Sequence, residues 1–216
     1  MKLARPSSQQ PSREGSHVPQ PDRQSALLLV DLQNDFFPGG ALGVPQADTI
    51  IPIVNAYIRF FHANGLPIFA TRDWHPPHHC SFQERNGPWP PHCVQGSLGA
   101  QFHPQLIMPP GTIVISKGTD PDRDAYSGFQ GTSLAEHLED LQIRRLYVLG
   151  LATDVCVKHT VLDARKLGFD VVVLQDATKG VNIHPDDSAR ALQEMADAGA
   201  MLATAKDLGI DPSSES

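Results

Sequence analysis

Apolar positions along the chain switch between two periods. Ala26-Leu-Leu-Leu-Val30 is an unbroken apolar run, the pattern of a strand buried on both faces. From Thr49 to Asn64 the residues Ile50, Ile53, Val54, Tyr57, Ile58 and Phe61 recur at helical spacing, with Gly65 behind them as a stop. Pro67–Thr71, Thr112–Ser116, Leu146–Leu149, Val171–Leu174 and Met201–Thr204 predict further strands. Helices are expected after Ser133, where Ser133 and Glu136 would form a capping box, from Asp154 to Leu167, and from Pro185 to Ala198. This alternation predicts an α/β fold of three layers, α/β/α, with helices on both faces of a mostly parallel, roughly six-stranded sheet.

The pattern stops at both ends. Residues 1–24 are Pro, Ser, Gln and charge with hardly an apolar side chain. Such a segment cannot offset its ordering entropy by burial, so a disordered N-terminal tail over 1–24, a domain over 25–210 and a flexible C-terminus over 211–216 are expected.

Composition narrows the class. The 216 residues carry a net charge of −7, whereas a nucleic-acid binder would need a basic face. No apolar run reaches the ~20 residues of a membrane span, and the N-terminus lacks an apolar core followed by a cleavage site. Three cysteines, Cys80, Cys93 and Cys156, do not make a disulfide framework and suit a reducing, cytoplasmic setting. Oligomeric state is not fixed by the sequence, and a homo-oligomer stays open. The unusual count is ten histidines, five of them between His75 and His103. They fall in the irregular stretch from Asp73 to Pro110, and a loop of that length inside a compact domain is usually functional.

In parallel sheets, ligands bind beyond the carboxyl ends of the strands. Strand one leads to Asp31, strand two to Asp73, strand three to Lys117, and strand four through Gly150-Leu-Ala-Thr-Asp154 to Cys156. A thiol near a helix N-terminus is acidified and sits beside oxyanion donors; equally, free cysteines are often small core residues. Asp31, desolvated at the end of an apolar strand, could take the thiol proton, or serve as a cap. Lys117 could hold that carboxylate and lower the thiol pKa, or be a solvated lysine. Asp73, His75, His79 and His92 place one carboxylate with imidazoles, a set suited to zinc, iron or manganese; incidental loop histidines are the alternative. An extended strand end would turn Asp73 and His75 toward one site. Cys80 and Cys93 are poorer ligand candidates than their neighbours.

These residues lie in long motifs: Val30-Asp-Leu-Gln-Asn-Asp-Phe-Phe-Pro-Gly-Gly40, Thr71-Arg-Asp-Trp-His-Pro76, Trp89-Pro-Pro-His-Cys-Val-Gln-Gly96, Ser116-Lys-Gly118, Tyr126-Ser-Gly-Phe129 and Gly150-Leu-Ala-Thr-Asp-Val-Cys-Val157. From about Ala26 to Thr204 the chain resembles the nicotinamidase branch of the isochorismatase-like cysteine hydrolases. The resemblance implies a catalytic triad of Asp31, Lys117 and Cys156, and metal ligation by Asp73, His75 and His92. His79 matches a ligand used in some members, and Glu84 is a further candidate ligand or water anchor. Phe36 and Trp89 match aromatics that sandwich a pyridine ring, and Tyr126 a pocket tyrosine. A cis Leu151–Ala152 bond and an oxyanion hole of the Ala152 and Cys156 N–H groups are also implied. The activity implied is hydrolysis of nicotinamide to nicotinate and ammonia through a thioester, in NAD salvage, with pyrazinamide as a further substrate. It needs one divalent metal, zinc first, with iron or manganese as alternatives. A related amidase acting on another small amide or an N-carbamoyl compound is the alternative enzyme. A non-enzymatic protein with a structural metal loop would not need Asp31, Lys117 and Cys156 together.

Overall fold

A computed structural model of the chain describes residues 18–212. Six strands form one sheet in the order β3-β2-β1-β4-β5-β6. They are β1 (Ser25–Val30), β2 (Ile68–Asp73), β3 (Ile113–Lys117), β4 (Arg145–Leu151), β5 (Asp170–Lys179) and β6 (Met201–Ala203). Every neighbouring pair is parallel. Four α-helices cover the faces: α1 (Ile51–Ala63), α2 (Leu134–Asp140), α3 (Lys158–Lys166) and α4 (Asp187–Asp197). The expected three-layer α/β fold is the one observed.

Strand alternation divides the core in two. Leu27, Leu29, Tyr147 and Leu149 join Val54, Tyr57, Ile58 and Phe61 of α1. Leu28, Val30, Leu146 and Val148 join Leu134 and Leu138 of α2, Val161 of α3 and Met195 of α4. Full burial of such side chains stabilises by about 1.5–3 kcal/mol each. β1 is buried along its whole length because strands flank it on both sides and helices cover both faces. This explains its unbroken apolar run.

The strand order reverses direction beside β1, between β1 and β4. Chains leave the two strands in opposite senses there, which opens a crevice beyond their carboxyl ends. Asp31 follows β1 and Cys156 follows β4, so both functional candidates fall at this switch point.

Several local expectations change. Ser133 precedes α2 but makes no side-chain cap hydrogen bond; the reciprocal capping box lies instead at Thr204 and Asp207. The helix expected from Asp154 opens as a π-helical turn over Thr153–Val157 before α3 begins. β5 runs on to Lys179 through an irregularity in its register with β4. There Asp176 accepts from Tyr57 Oη at 2.8 Å and from the Ala205 amide at 2.9 Å, which keeps polar residues within the strand. Residues 1–17 of the expected tail, and 213–216 of the C-terminus, lie outside the described residues. The preceding segment 18–24 packs on the domain: Val18 touches the core and Tyr147 Oη donates to the Pro19 carbonyl at 2.6 Å.

Candidate active site

The β1 terminus places Asp31 in the left-handed region, φ 49°, a conformation costing a non-glycine residue about 1–3 kcal/mol and most often kept at functional sites. Its side chain is fully buried. Thr71 Oγ1 donates to Oδ1 at 2.7 Å, and Lys117 Nζ pairs with Oδ2 at 2.9 Å. Lys117 is equally buried. It reaches Asp73 Oδ1 at 2.5 Å, the Ala125 carbonyl at 3.1 Å and Cys156 Sγ at 3.7 Å. One cation thus links two carboxylates and the thiol.

The electrostatics follow from that packing. Burial pushes Asp31 up, opposed by Lys117 and reinforced by Asp73. Burial also lifts the Cys156 thiol well above its ordinary value, while Lys117 pulls it down. Burial disfavours the Lys117 ammonium, but Asp31 and Asp73 outweigh it and hold the charge. Burial thus favours the protonated form of the thiol and of the Asp31 carboxyl, and Lys117, 2.9 Å from Asp31 and 3.7 Å from Sγ, favours the ionised form of each.

Asp73 ends β2, and the chain stays extended beyond it: His75 bridges Val94 in parallel register. The i, i+2 geometry expected for Asp73 and His75 is present. Asp73, His75 and His92 are buried, and their ligand atoms lie within 4.8 Å of one another. Asp73 Oδ2 is 3.6 Å from His75 Nε2 and 3.9 Å from His92 Nε2. Nδ1 of His75 donates to the Gly118 carbonyl at 2.9 Å, and Nδ1 of His92 to the Pro90 carbonyl at 2.8 Å. A carbonyl only accepts, so each Nδ1 carries the proton and each Nε2 keeps its lone pair for a metal. Gly118, at φ +61°, is required here, because a Cβ would stand 2.4 Å from the His75 ring. Burial lowers His92. One carboxylate and two such imidazoles with open positions fit a catalytic divalent metal.

His79 is not brought into this set. Its Nδ1 is 2.7 Å from Ser81 Oγ and its Nε2 2.9 Å from the Arg123 carbonyl. Both nitrogens are occupied, and the ring stacks on His75 with centroids 4.1 Å apart. Glu84 is exposed and lies 3.9 Å from exposed His78, outside the Asp73–His75–His92 cluster.

A cavity of about 270 Å³ joins the two clusters, lined by Cys156, Asp73, His75, Phe36, Trp89 and Tyr126 among others. It is near the lower end of small-molecule sites, about 300–1,000 Å³. Trp89 Nε1 donates to Tyr126 Oη at 3.1 Å, which ties two walls together. Leu151–Ala152 is cis, and Ala152 also lines the cavity.

Three supporting residues had no assigned role in the sequence. Gln33 is fully buried against the Asp73 backbone. Asp35 accepts from the Cys93 amide at 2.7 Å and the Ala41 amide at 3.2 Å, tying the residue after His92 to the loop that bears Phe36. Thr71 holds Asp31. Their only signal was a polar side chain inside motifs already quoted.

The chain matches the isochorismatase domain family over residues 25–207. It is 47% identical over 203 residues to the nicotinamidase of Escherichia coli, a match covering 84% of this chain and 95% of that protein. The crystal structure of the pyrazinamidase of Pyrococcus horikoshii in complex with zinc superposes with a TM-score of 0.81 at 52% identity, covering 84% of this chain and 99% of that one. PnC1 from L. infantum, solved in complex with nicotinate, gives 0.79 at 38% identity, over 87% of this chain and 96% of that one.

Proposed function

The chain belongs to the isochorismatase family, and from that premise we propose that it is a nicotinamidase, hydrolysing nicotinamide to nicotinate and ammonia and accepting pyrazinamide in the same cavity. The observation that carries this reading is one small cavity lined by Cys156 of the Asp31–Lys117–Cys156 cluster, by the Asp73–His75–His92 set and by Phe36 and Trp89.

Phe36 and Trp89 offer flat apolar faces to a pyridine ring. Asp73, His75 and His92 would hold one divalent metal, zinc in the first instance; when bound it supplies a Lewis-acid point for the ring nitrogen. Asp31 takes the Cys156 proton, and the sulfur electron pair adds to the carboxamide carbon. The carbonyl pair becomes an oxyanion, received by the Ala152 and Cys156 N–H groups, each donor worth about 2.7–4 kcal/mol. Asp31 returns its proton to the nitrogen, the C–N bond breaks and ammonia leaves a thioester on Cys156. Asp31 then takes a proton from water as its oxygen adds to the thioester carbon. The C–S bond breaks, the sulfur recovers the proton and nicotinate departs. Lys117 stays charged throughout and keeps the buried carboxylate usable as a base.

Cys80, Cys93 and Cys156 are all free, which supports a reducing, cytoplasmic setting, and no described helix is long and apolar enough to cross a membrane. The test of substrate class is ammonia release over nicotinamide, pyrazinamide and N-carbamoyl compounds, with metal analysis on the same sample. Preference for the two aromatic amides is expected; turnover of only the N-carbamoyl compounds would move the chain to the other amidases of its fold.

A further inference from the structure

The two oxygens of the Asp31 carboxylate are chemically alike in isolation, and their surroundings make them different. Oδ1 receives the Thr71 hydroxyl at 2.7 Å. Oδ2 lies 2.9 Å from Lys117 Nζ as an ion pair, yet it is among the buried side-chain atoms that receive no aligned hydrogen bond among the described residues. Thr71 and Asp31 are both fully buried, so no exposed alternative exists for the hydroxyl. The backbone enforces the pairing: Thr71 sits opposite Val30 in the β1–β2 register, and its carbonyl accepts the Asp31 amide at 3.2 Å. A Cβ on Gly128 would stand 2.8 Å from Thr71 Cγ2, so the methyl is packed and the rotamer that aims the hydroxyl at Asp31 is fixed.

We propose that Thr71 is a positioning residue for the reaction: its hydroxyl occupies Asp31 Oδ1, and so makes Oδ2 the oxygen that takes the Cys156 proton and returns it to the leaving nitrogen. The proposal rests on the reading of Cys156 as the nucleophile. In the step concerned, the S–H bond breaks, an O–H bond forms at Oδ2, and the sulfur pair is released toward the carboxamide carbon. Without the hydroxyl, Oδ1 becomes a second, wrongly placed acceptor and the carboxylate is free to rotate. Lys117 keeps Asp73 and the Ala125 carbonyl but loses its fixed contact with Oδ2.

The test compares Thr71→Val, Thr71→Ala and Thr71→Ser in the metal-loaded full chain. Two rates are read: steady-state hydrolysis of nicotinamide, and alkylation of Cys156 by iodoacetamide, followed on the Cys156 peptide by mass spectrometry. A hydrogen bond to a charged group corresponds to a loss of about 10–100-fold in rate. Thr71→Val and Thr71→Ala are expected to lose about that factor in kcat with KM held, and to slow alkylation in parallel. Thr71→Ser, which keeps the hydroxyl, restores both. Should the Val variant not fold, the Ala and Ser variants share the missing methyl and differ in the hydroxyl alone. Wild-type rates in Val and Ala, or an equal loss in Ser and Ala, would overturn the proposal. Alkylation needs no amide substrate, so it reports on Thr71 even if nicotinamide is not hydrolysed; that separate failure would show in the wild-type protein.

Discussion

The carboxamide of Gln33 binds both backbone polar groups of Asp73: Nε2 donates to its carbonyl and Oε1 accepts from its amide, each at 2.7 Å. A side chain thereby does what a neighbouring strand would do, at the point where β2 ends and the proposed metal set begins. The same Nε2 also reaches the Ala100 carbonyl at 2.9 Å, so one amide joins the β1 exit, the β2 end and the loop around Ala100. Gln33→Ala leaves three buried backbone groups unpaired, at about 1–3 kcal/mol each. A large drop in the urea midpoint is expected, together with a 10–100-fold weaker hold on the metal, as for other groups that orient ligands. An unchanged midpoint and unchanged metal content after dialysis would show that water replaces the clamp without cost.

His75 and His79 stack in contact but should respond differently to mutation. His75→Ala removes one of the three proposed ligands, so metal and activity should fall together. His79→Ala leaves Asp73, His75 and His92 in place, so metal content after dialysis should stay near one ion per chain while stability drops, because Ser81 and the Arg123 carbonyl lose their partner. Loss of metal in both variants alike would place His79 in the coordination sphere.

Asp35 links the Phe36 loop to the residue beside His92 through two amide hydrogen bonds. Asp35→Ala should loosen the aromatic slot more than the thiol. KM for nicotinamide is expected to rise by about tenfold or more, as two hydrogen bonds to the carboxylate are lost, with a smaller change in kcat. A kcat loss at constant KM would mean that the slot does not depend on this link.

Alkaline stability should depend on Tyr147. Burial pushes its phenol up to about 12, against about 10 in the unfolded chain. The folded state therefore holds the proton more tightly. Stability from this group is fully present below pH ~10, falls as pH rises toward ~12, and is gone above it. Deprotonation also removes the donor to the Pro19 carbonyl. In Tyr147→Phe the decline of the urea midpoint over that interval should be shallower; an identical pH profile would exclude Tyr147 as its source.

Much of this was legible in the sequence because the site sits where periodicity ends. Each of the first three strands closes on a buried ionisable residue: β1 leads to Asp31, β2 ends on Asp73 and β3 on Lys117. An apolar run can be seen in one dimension, and so can the polar residue that stops it. The role of His79 was not legible. Its spacing from His75 suits a ligand, but Ser81 and the Arg123 carbonyl, the latter far along the chain, capture its nitrogens. The extent of β5 was hidden because Asp176 is polar and its partners Tyr57 and Ala205 are distant in sequence. The Ser133 cap failed because a favourable residue type does not ensure the hydrogen bond. Gln33, Asp35 and Thr71 act by bonding to backbone or to another side chain across the fold, and no local pattern carries that.

The proposed function turns on attack by Cys156 on the carboxamide of nicotinamide. Ammonia release from nicotinamide, measured side by side for the wild-type protein and Cys156→Ala at matched metal content, tests it most directly. Stoichiometric ammonia and nicotinate are expected from the wild type, and none from the folded, metal-bound variant. Ammonia release by Cys156→Ala at the wild-type rate would contradict the proposed function.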